Sequence, residues 1–347
     1  MMYCDRRIAG TEFWCFSEPR DARMYIPDAV RKCVVFVGYA LADGTTRVVG
    51  TAFLVGRPLD RETTPGFGQV SPSFAYLVTA KHVLDAIEAK GASEVLIRLN
   101  SSDGKARWAS TQFQHWMYHP TEKNDVDVAV FNANAMEFGK WDHAIFPIAG
   151  FATQERIEKD QIGLGDEIVI VGLFASHYGS AKNIPIVRVG NIAAMPEEKV
   201  RTSLGGIDAY LVEARSIGGL SGSPAFVNQG LVRVRHGQLQ VSSSPMGAQI
   251  CLLGLMHGHY DEKGTEKVNM GIGIVVPAMK ILEVLNQEAI VKVEDQARKR
   301  QQEEVMPTMD ILPEESKSPQ FTRADFELDL RKASRRVAPS QSDSKTK

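Results

Sequence analysis

From Cys33 onward, apolar residues arrive in short β-branched runs set between loops rich in glycine, proline, serine and aspartate. CVVFVGYA and TRVVGTAFLVG are separated by LADGT, whose Asp43-Gly44 pair suits a tight turn. AYLVTA is a further strand, and VLDAIEAKG reads as a short helix ended by Gly91. EVLIRLN and DVAVFNA complete a first group of strands.

A second group begins near residue 162, with EIVIVGLF, IPIVRVGNIAA, AYLVEA, SPAFV, QICLLGLM and GIGIVVP. PAMKILEVLNQEA then predicts an amphipathic helix with Pro277 in its first turn. Two sets of short strands with little helix between them predict an all-β fold, as paired barrels or a sandwich. Residues 1–27 have no clear period and read as an N-terminal extension. Residues 290–347 are charged, proline-interrupted and polar at the end, and are expected to be a mostly disordered tail. Within the tail, Phe326, Leu330 and Ala333 share one face of a possible short helix near 324–335.

Composition narrows the function classes. A net charge of −2 gives no bulk attraction to nucleic acid or an anionic membrane. No apolar run reaches the roughly 20 residues of a membrane span. Asp5, Arg6 and Arg7 stand where a secretory leader would start its apolar stretch, so a cytoplasmic protein is expected. Cys4, Cys15, Cys33 and Cys251 show no zinc-like spacing and read as reduced thiols, with Cys33 and Cys251 buried. No cofactor or metal is expected.

Three segments carry chemistry. In Gly218-Gly219-Leu220-Ser221-Gly222-Ser223-Pro224, glycines flank a serine between two strands. They leave the hydroxyl uncrowded and let amides converge beside it, as the oxyanion of acyl transfer requires. A simple Gly/Ser turn is the other reading. A serine nucleophile needs a base. His82 follows the strand AYLVTA and opens the next helix. The base needs a carboxylate, and Asp127 heads the apolar strand DVAVF, where burial without a partner is costly. Asp125, two residues earlier, is the rival.

At these positions the chain resembles the trypsin-like, chymotrypsin-fold serine peptidases. TAKHV is similar to the family's histidine motif, DVAV to its aspartate motif and GLSGSP to its nucleophile motif. The order His, Asp, Ser is the family's, with 45 residues from His82 to Asp127 and 94 from Asp127 to Ser221. Gly50-Thr51-Ala52-Phe53 resembles the strand that precedes the histidine. NMGIGIVVP resembles the last strand of bacterial HtrA-like members, so the likeness runs from about residue 33 to 288. It implies two six-stranded antiparallel β-barrels, at about 28–150 and 151–289, with a C-terminal helix.

The resemblance also implies roles. Ser221 would attack, His82 would serve as base and Asp127 would orient it, while the amides of Gly219 and Ser221 would form the oxyanion hole. Leu255, Met256, His257 and Gly258 would pair with substrate backbone and wall the specificity pocket. His257 is either a pocket-edge or surface histidine, or a reader of the substrate side chain. With His259 it makes an HxH pair, but no further metal ligand is evident nearby. Leu220 replaces the aspartate that activates digestive members, so activation by that ion pair is not expected. The 59 residues after 288 are too few and too polar for a PDZ domain.

The expected function is therefore a serine endopeptidase of a bacterial cytoplasm, acting on protein or peptide through an acyl-enzyme. The alternative is a catalytically silent protease-fold module that binds peptides or regulates. A regulatory protein partner docked through the tail is a further possibility. Nucleic acid and membrane partners are not expected.

Overall fold

A computed structural model describes residues 26–60, 72–202, 205–214, 219–230, 232–235, 237–241, 250–259 and 271–305. By its contacts the chain forms one unit over Met1–Arg300 and another over Gln301–Lys347. The first unit carries the fold described below.

Its first half opens with α1 (Asp28–Lys32), β1 (Val34–Ala40), β2 (Thr46–Pro58), β3 (Ser73–Thr79) and α2 (Lys81–Glu88). It continues with β4 (Val95–Asn100), β5 (Ala106–Thr111), β6 (Trp116–Tyr118), β7 (Ala129–Asn132) and β8 (Phe146–Pro147). The sheet order is β5-β4-β1-β2-β3-β7-β6, with β8 parallel to β2. The Asp43 carboxylate accepts from the Thr45 amide and hydroxyl, which fixes the turn between β1 and β2.

After α3 (Gln154–Asp160), the second half contains β9 (Glu167–Gly172), β10 (Ile186–Ala194), β11 (Val200–Thr202), β12 (Gly205–Ile207) and β13 (Tyr210–Glu213). Then follow β14 (Pro224–Asn228), β15 (Val232–Arg235), β16 (Gln238–Val241), β17 (Ile250–His259) and β18 (Ile272–Pro277). β10-β13-β18-β17-β14-β9 close into a six-stranded antiparallel barrel. Helices α4 (Ala278–Leu285) and α5 (Glu288–Val305) come last.

This is the chymotrypsin-like architecture, with one difference from two closed barrels. Among the described residues the first half is not closed by backbone hydrogen bonds, and β5 and β6 remain the edges of its sheet. Side chains bridge them instead: Trp116 Nε1 donates to Thr111 Oγ1 at 3.0 Å.

Burial explains why the second group reads as continuous apolar runs. On β9, Ile168 and Ile170 face the barrel interior, while Val169 and Val171 join the core of the first half. β14 divides likewise, with Ala225 and Val227 inside and Phe226 outside. Strands covered on both faces have no polar face to show. The two halves therefore share a packed seam, in which the Phe146 and Phe226 rings stand 5.1 Å apart.

The charged stretch after residue 288 departs from the expected tail. Residues 288–305 form α5, which is pinned to the first half. Glu294 is 1% exposed and accepts from Arg57 Nη1 (2.9 Å), the Tyr76 hydroxyl (2.6 Å) and Arg298 Nη2 (3.4 Å). Ile290 is buried one turn earlier. Residues 306–347, with the helix expected near 324–335, lie outside the described residues, as do residues 1–25.

Breaking a buried ion pair strands its partners, so Glu294→Ala is expected to cost about 3–5 kcal/mol of unfolding free energy, measured by chemical denaturation.

Candidate active site

The site starts from a helix end that lacks its own cap. Ala80 precedes α2 in an extended conformation and offers no side-chain acceptor. The orphaned first-turn amide of His82 instead donates to Asp127 Oδ1 at 2.8 Å. A buried carboxylate at a helix N-terminus also interacts favourably with the helix dipole.

The other oxygen of Asp127 takes two imidazoles. His82 Nδ1 lies 2.7 Å and His257 Nδ1 2.5 Å from Asp127 Oδ2. An ionised carboxylate only accepts, so both rings present Nδ1–H to it. A ring in its neutral form then keeps its lone pair on Nε2. The rings pack edge to face with centroids 5.0 Å apart. Asp127 is 1% exposed, whereas the His82 side chain keeps 28% of its surface open. Burial alone would raise the Asp127 carboxyl. The hydrogen bonds from His257 and His82, and the charge of these rings, outweigh it and hold the group well below the usual carboxylate range. Asp125, the rival, is exposed.

Ser221 sits in the loop that leads into β14. Its hydroxyl donates to the His257 carbonyl at 3.1 Å, and no hydrogen bond joins it to His82 among the described residues. The Gly222 amide donates to Met256 O and the Met256 amide to Ser223 O, both at 2.8 Å, so the loop is stitched to β17. Gly222 has φ +81°, and a Cβ there would lie 2.2 Å from Thr51 O, so only glycine fits. Gly219 has φ +101° and its carbonyl accepts from Thr51 Oγ1. Among the described residues, the Gly219 and Ser221 amides have no acceptor. Leu220 is buried in the second barrel's core.

Along β17, Leu255 and Met256 are fully buried. Gly258 is half-buried and His259 exposed, so these are the positions that reach the surface. His257 is 9% exposed and turns its ring inward to Asp127, which no local pattern announced. The available signal was a histidine inside an apolar strand, since a buried polar group needs a partner. Gly218 lies outside the described residues.

Two side-chain groups bring potential metal ligands within 4.8 Å of one another. In His119, Glu122 and Glu283, Lys280 Nζ already bonds both carboxylates, at 3.1 and 3.0 Å. In His82, Asp127 and His257, both Nδ1 atoms are committed to Asp127 Oδ2, so a cation would have to displace both protons. The hydrogen bonds account for this cluster without an ion.

The closed barrel, the strand order and the order His82, Asp127, Ser221 define a trypsin-like fold. No protein-family model and no curated protein matches the chain. Among solved structures, it is similar to the MamO protease domain from Magnetospirillum magneticum in its apo form. The identity there is 17% and the TM-score 0.46, covering 75% of this chain and 98% of that one. It is also similar to Deg5, at 14% identity and TM-score 0.40, over 74% of this chain and 88% of that one. A third likeness is to Rv3671c from M. tuberculosis H37Rv, in an inactive form with a serine-to-alanine substitution. There the identity is 16% and the TM-score 0.37, over 74% of this chain and 87% of that one.

A carboxyl held below its ordinary value adds stability that is fully present above the unfolded-state pKa, about 4, and is lost as pH falls through the folded value. The stability difference between the protein and Asp127→Asn should therefore shrink as pH falls below about 4. Urea titrations across that range measure it.

Proposed function

We propose that this chain is a serine endopeptidase with Ser221 as nucleophile, His82 as general base and Asp127 as the carboxylate that orients it. The observation that carries the reading is the buried Asp127, whose hold on His82 Nδ1–H leaves His82 Nε2 as a base beside the serine loop. A binding module has no physical need for a buried anion fixed to that tautomer.

In the proposed reaction a peptide lies along the open end of β17. Its backbone N–H takes the His257 carbonyl, which now holds the Ser221 hydroxyl. The displaced hydroxyl turns to His82 Nε2, loses its proton and forms a bond to the scissile carbonyl carbon. Negative charge on the carbonyl oxygen meets the free amides of Gly219 and Ser221. Asp127 stabilises the imidazolium, which returns its proton to the leaving amine as the peptide C–N bond breaks. Water, deprotonated by His82, then releases the acyl group from Ser221.

The same serine–carbonyl bond supports a second reading, a catalytically silent protease-fold module, because the hydroxyl rests away from His82. We place the protein in a reducing compartment, the cytoplasm of a bacterium in this reading. Cys33 is a buried thiol whose pKa burial pushes up to about 12, and Cys251 is buried as well. No described helix is long and apolar enough to cross a membrane. The proposed docking of a regulatory partner by the tail is best tested with a truncation after Val305, since removal of Glu294 strands Arg57 and Tyr76.

A fluorophosphonate probe separates the two readings. The peptidase is expected to be labelled, and Ser221→Ala or His82→Ala to abolish labelling. His257→Ala removes one of three donors to Asp127 and is expected to slow labelling about tenfold. A folded protein that binds peptide but takes no label would be the silent module.

A further inference from the structure

One side chain from the first half holds the serine loop of the second. Thr51 lies on β2 and is wholly buried. Its amide donates to Ser221 O at 3.0 Å, and its hydroxyl donates to Gly219 O at 2.8 Å. The same oxygen accepts the Leu173 amide at 2.9 Å. That bond occupies a lone pair and leaves the hydroxyl hydrogen for Gly219 O. The carbonyl of Thr51 accepts from Thr79 Oγ1 at 2.7 Å, at the end of the strand that leads to His82. Thr51 thus touches two carbonyls of the serine loop, the exit of β9 and the strand that delivers the base.

An apolar residue is the default at such a buried strand position. Threonine keeps the β-branched shape that suits the strand and adds one directed hydroxyl. Gly219 has no side chain to restrict its backbone, so the direction of its peptide groups has to be set from outside. Donors to a developing oxyanion are effective only when they are already in place before the charge forms.

We propose that Thr51 is a positioning residue for the oxyanion-stabilising loop. Its hydroxyl fixes the peptide after Gly219, and its amide fixes the one after Ser221. These two anchored peptides bracket the Leu220–Ser221 peptide, which carries the Ser221 amide, and the first of them adjoins the residue that carries the Gly219 amide. Thr51 makes no contact with substrate and acts through these two residues. The role rests on the peptidase reading, while the underlying restraint on the loop does not.

The test compares the full chain with Thr51→Val, which keeps the shape and loses the hydroxyl, and with Thr51→Ser, which keeps the hydroxyl. Two quantities are read: the second-order rate of fluorophosphonate labelling and amide hydrogen exchange. Thr51→Val is expected to slow labelling about 10- to 100-fold. It should speed exchange at Leu173, Gly222 and Ser223 while β4 and β10 stay unchanged, and Thr51→Ser should restore both. Thr51→Ala replaces the valine variant if that one does not fold. Labelling at the unaltered rate with unchanged loop exchange overturns the proposal. So does exchange that accelerates across all strands without rescue by serine. If the folded unaltered protein takes no label, the peptidase reading fails by itself, and the exchange pattern alone decides whether Thr51 restrains the loop.

Discussion

A single buried carboxylate holds the site together. Asp127 belongs to the segment that enters β7, yet its three donors come from the first turn of α2 and from β17. An anion in an apolar interior is tolerable only when it is fully hydrogen-bonded. The stability of the charge and the geometry of the two imidazoles are therefore one requirement. Whatever loosens β17 from the first half also removes a donor from Asp127, so the seam between the halves and the hydrogen bonds around His82 are linked.

That seam is built from strands with two apolar faces. Val169, Val171 and Phe226 join the core of the first half, while their neighbours in sequence fill the second barrel. The candidate site lies where the halves meet, with His82 and Asp127 from one and Ser221 and its loop from the other. Thr51 and Asp127 cross the seam in opposite directions, the first reaching to the serine loop and the second receiving a histidine from β17.

What could be read from the sequence was local. TAKHV, DVAV and GLSGSP each join a distinctive residue to the strand or turn that presents it, and the runs that became β1–β4, β7, β9, β10, β13, β14, β17 and β18 stand out by β-branched content. What could not be read depended on distant partners. His257 looked like the edge of a pocket because Asp127 lies 130 residues earlier. α5 looked like tail because its charges alone are visible, and the groups that make Glu294 a core residue are on β2 and β3. Closure of the first half depends on whether two edge strands come within bonding distance, and the Trp116–Thr111 bridge that substitutes for a ladder has no strand-level signature.

The clamp on α5 bears on the order in which the molecule can be made. Arg57 and Tyr76 precede Glu294 by 237 and 218 residues. On a ribosome, the first half emerges with these groups facing no counter-charge, and they stay so until nearly the whole fold has been translated. Native pairing of such separation is slow to form and leaves the nascent chain open to wrong partners. Completion of the first half is thus a late event of synthesis, coincident with arrival of the helix that follows the second barrel.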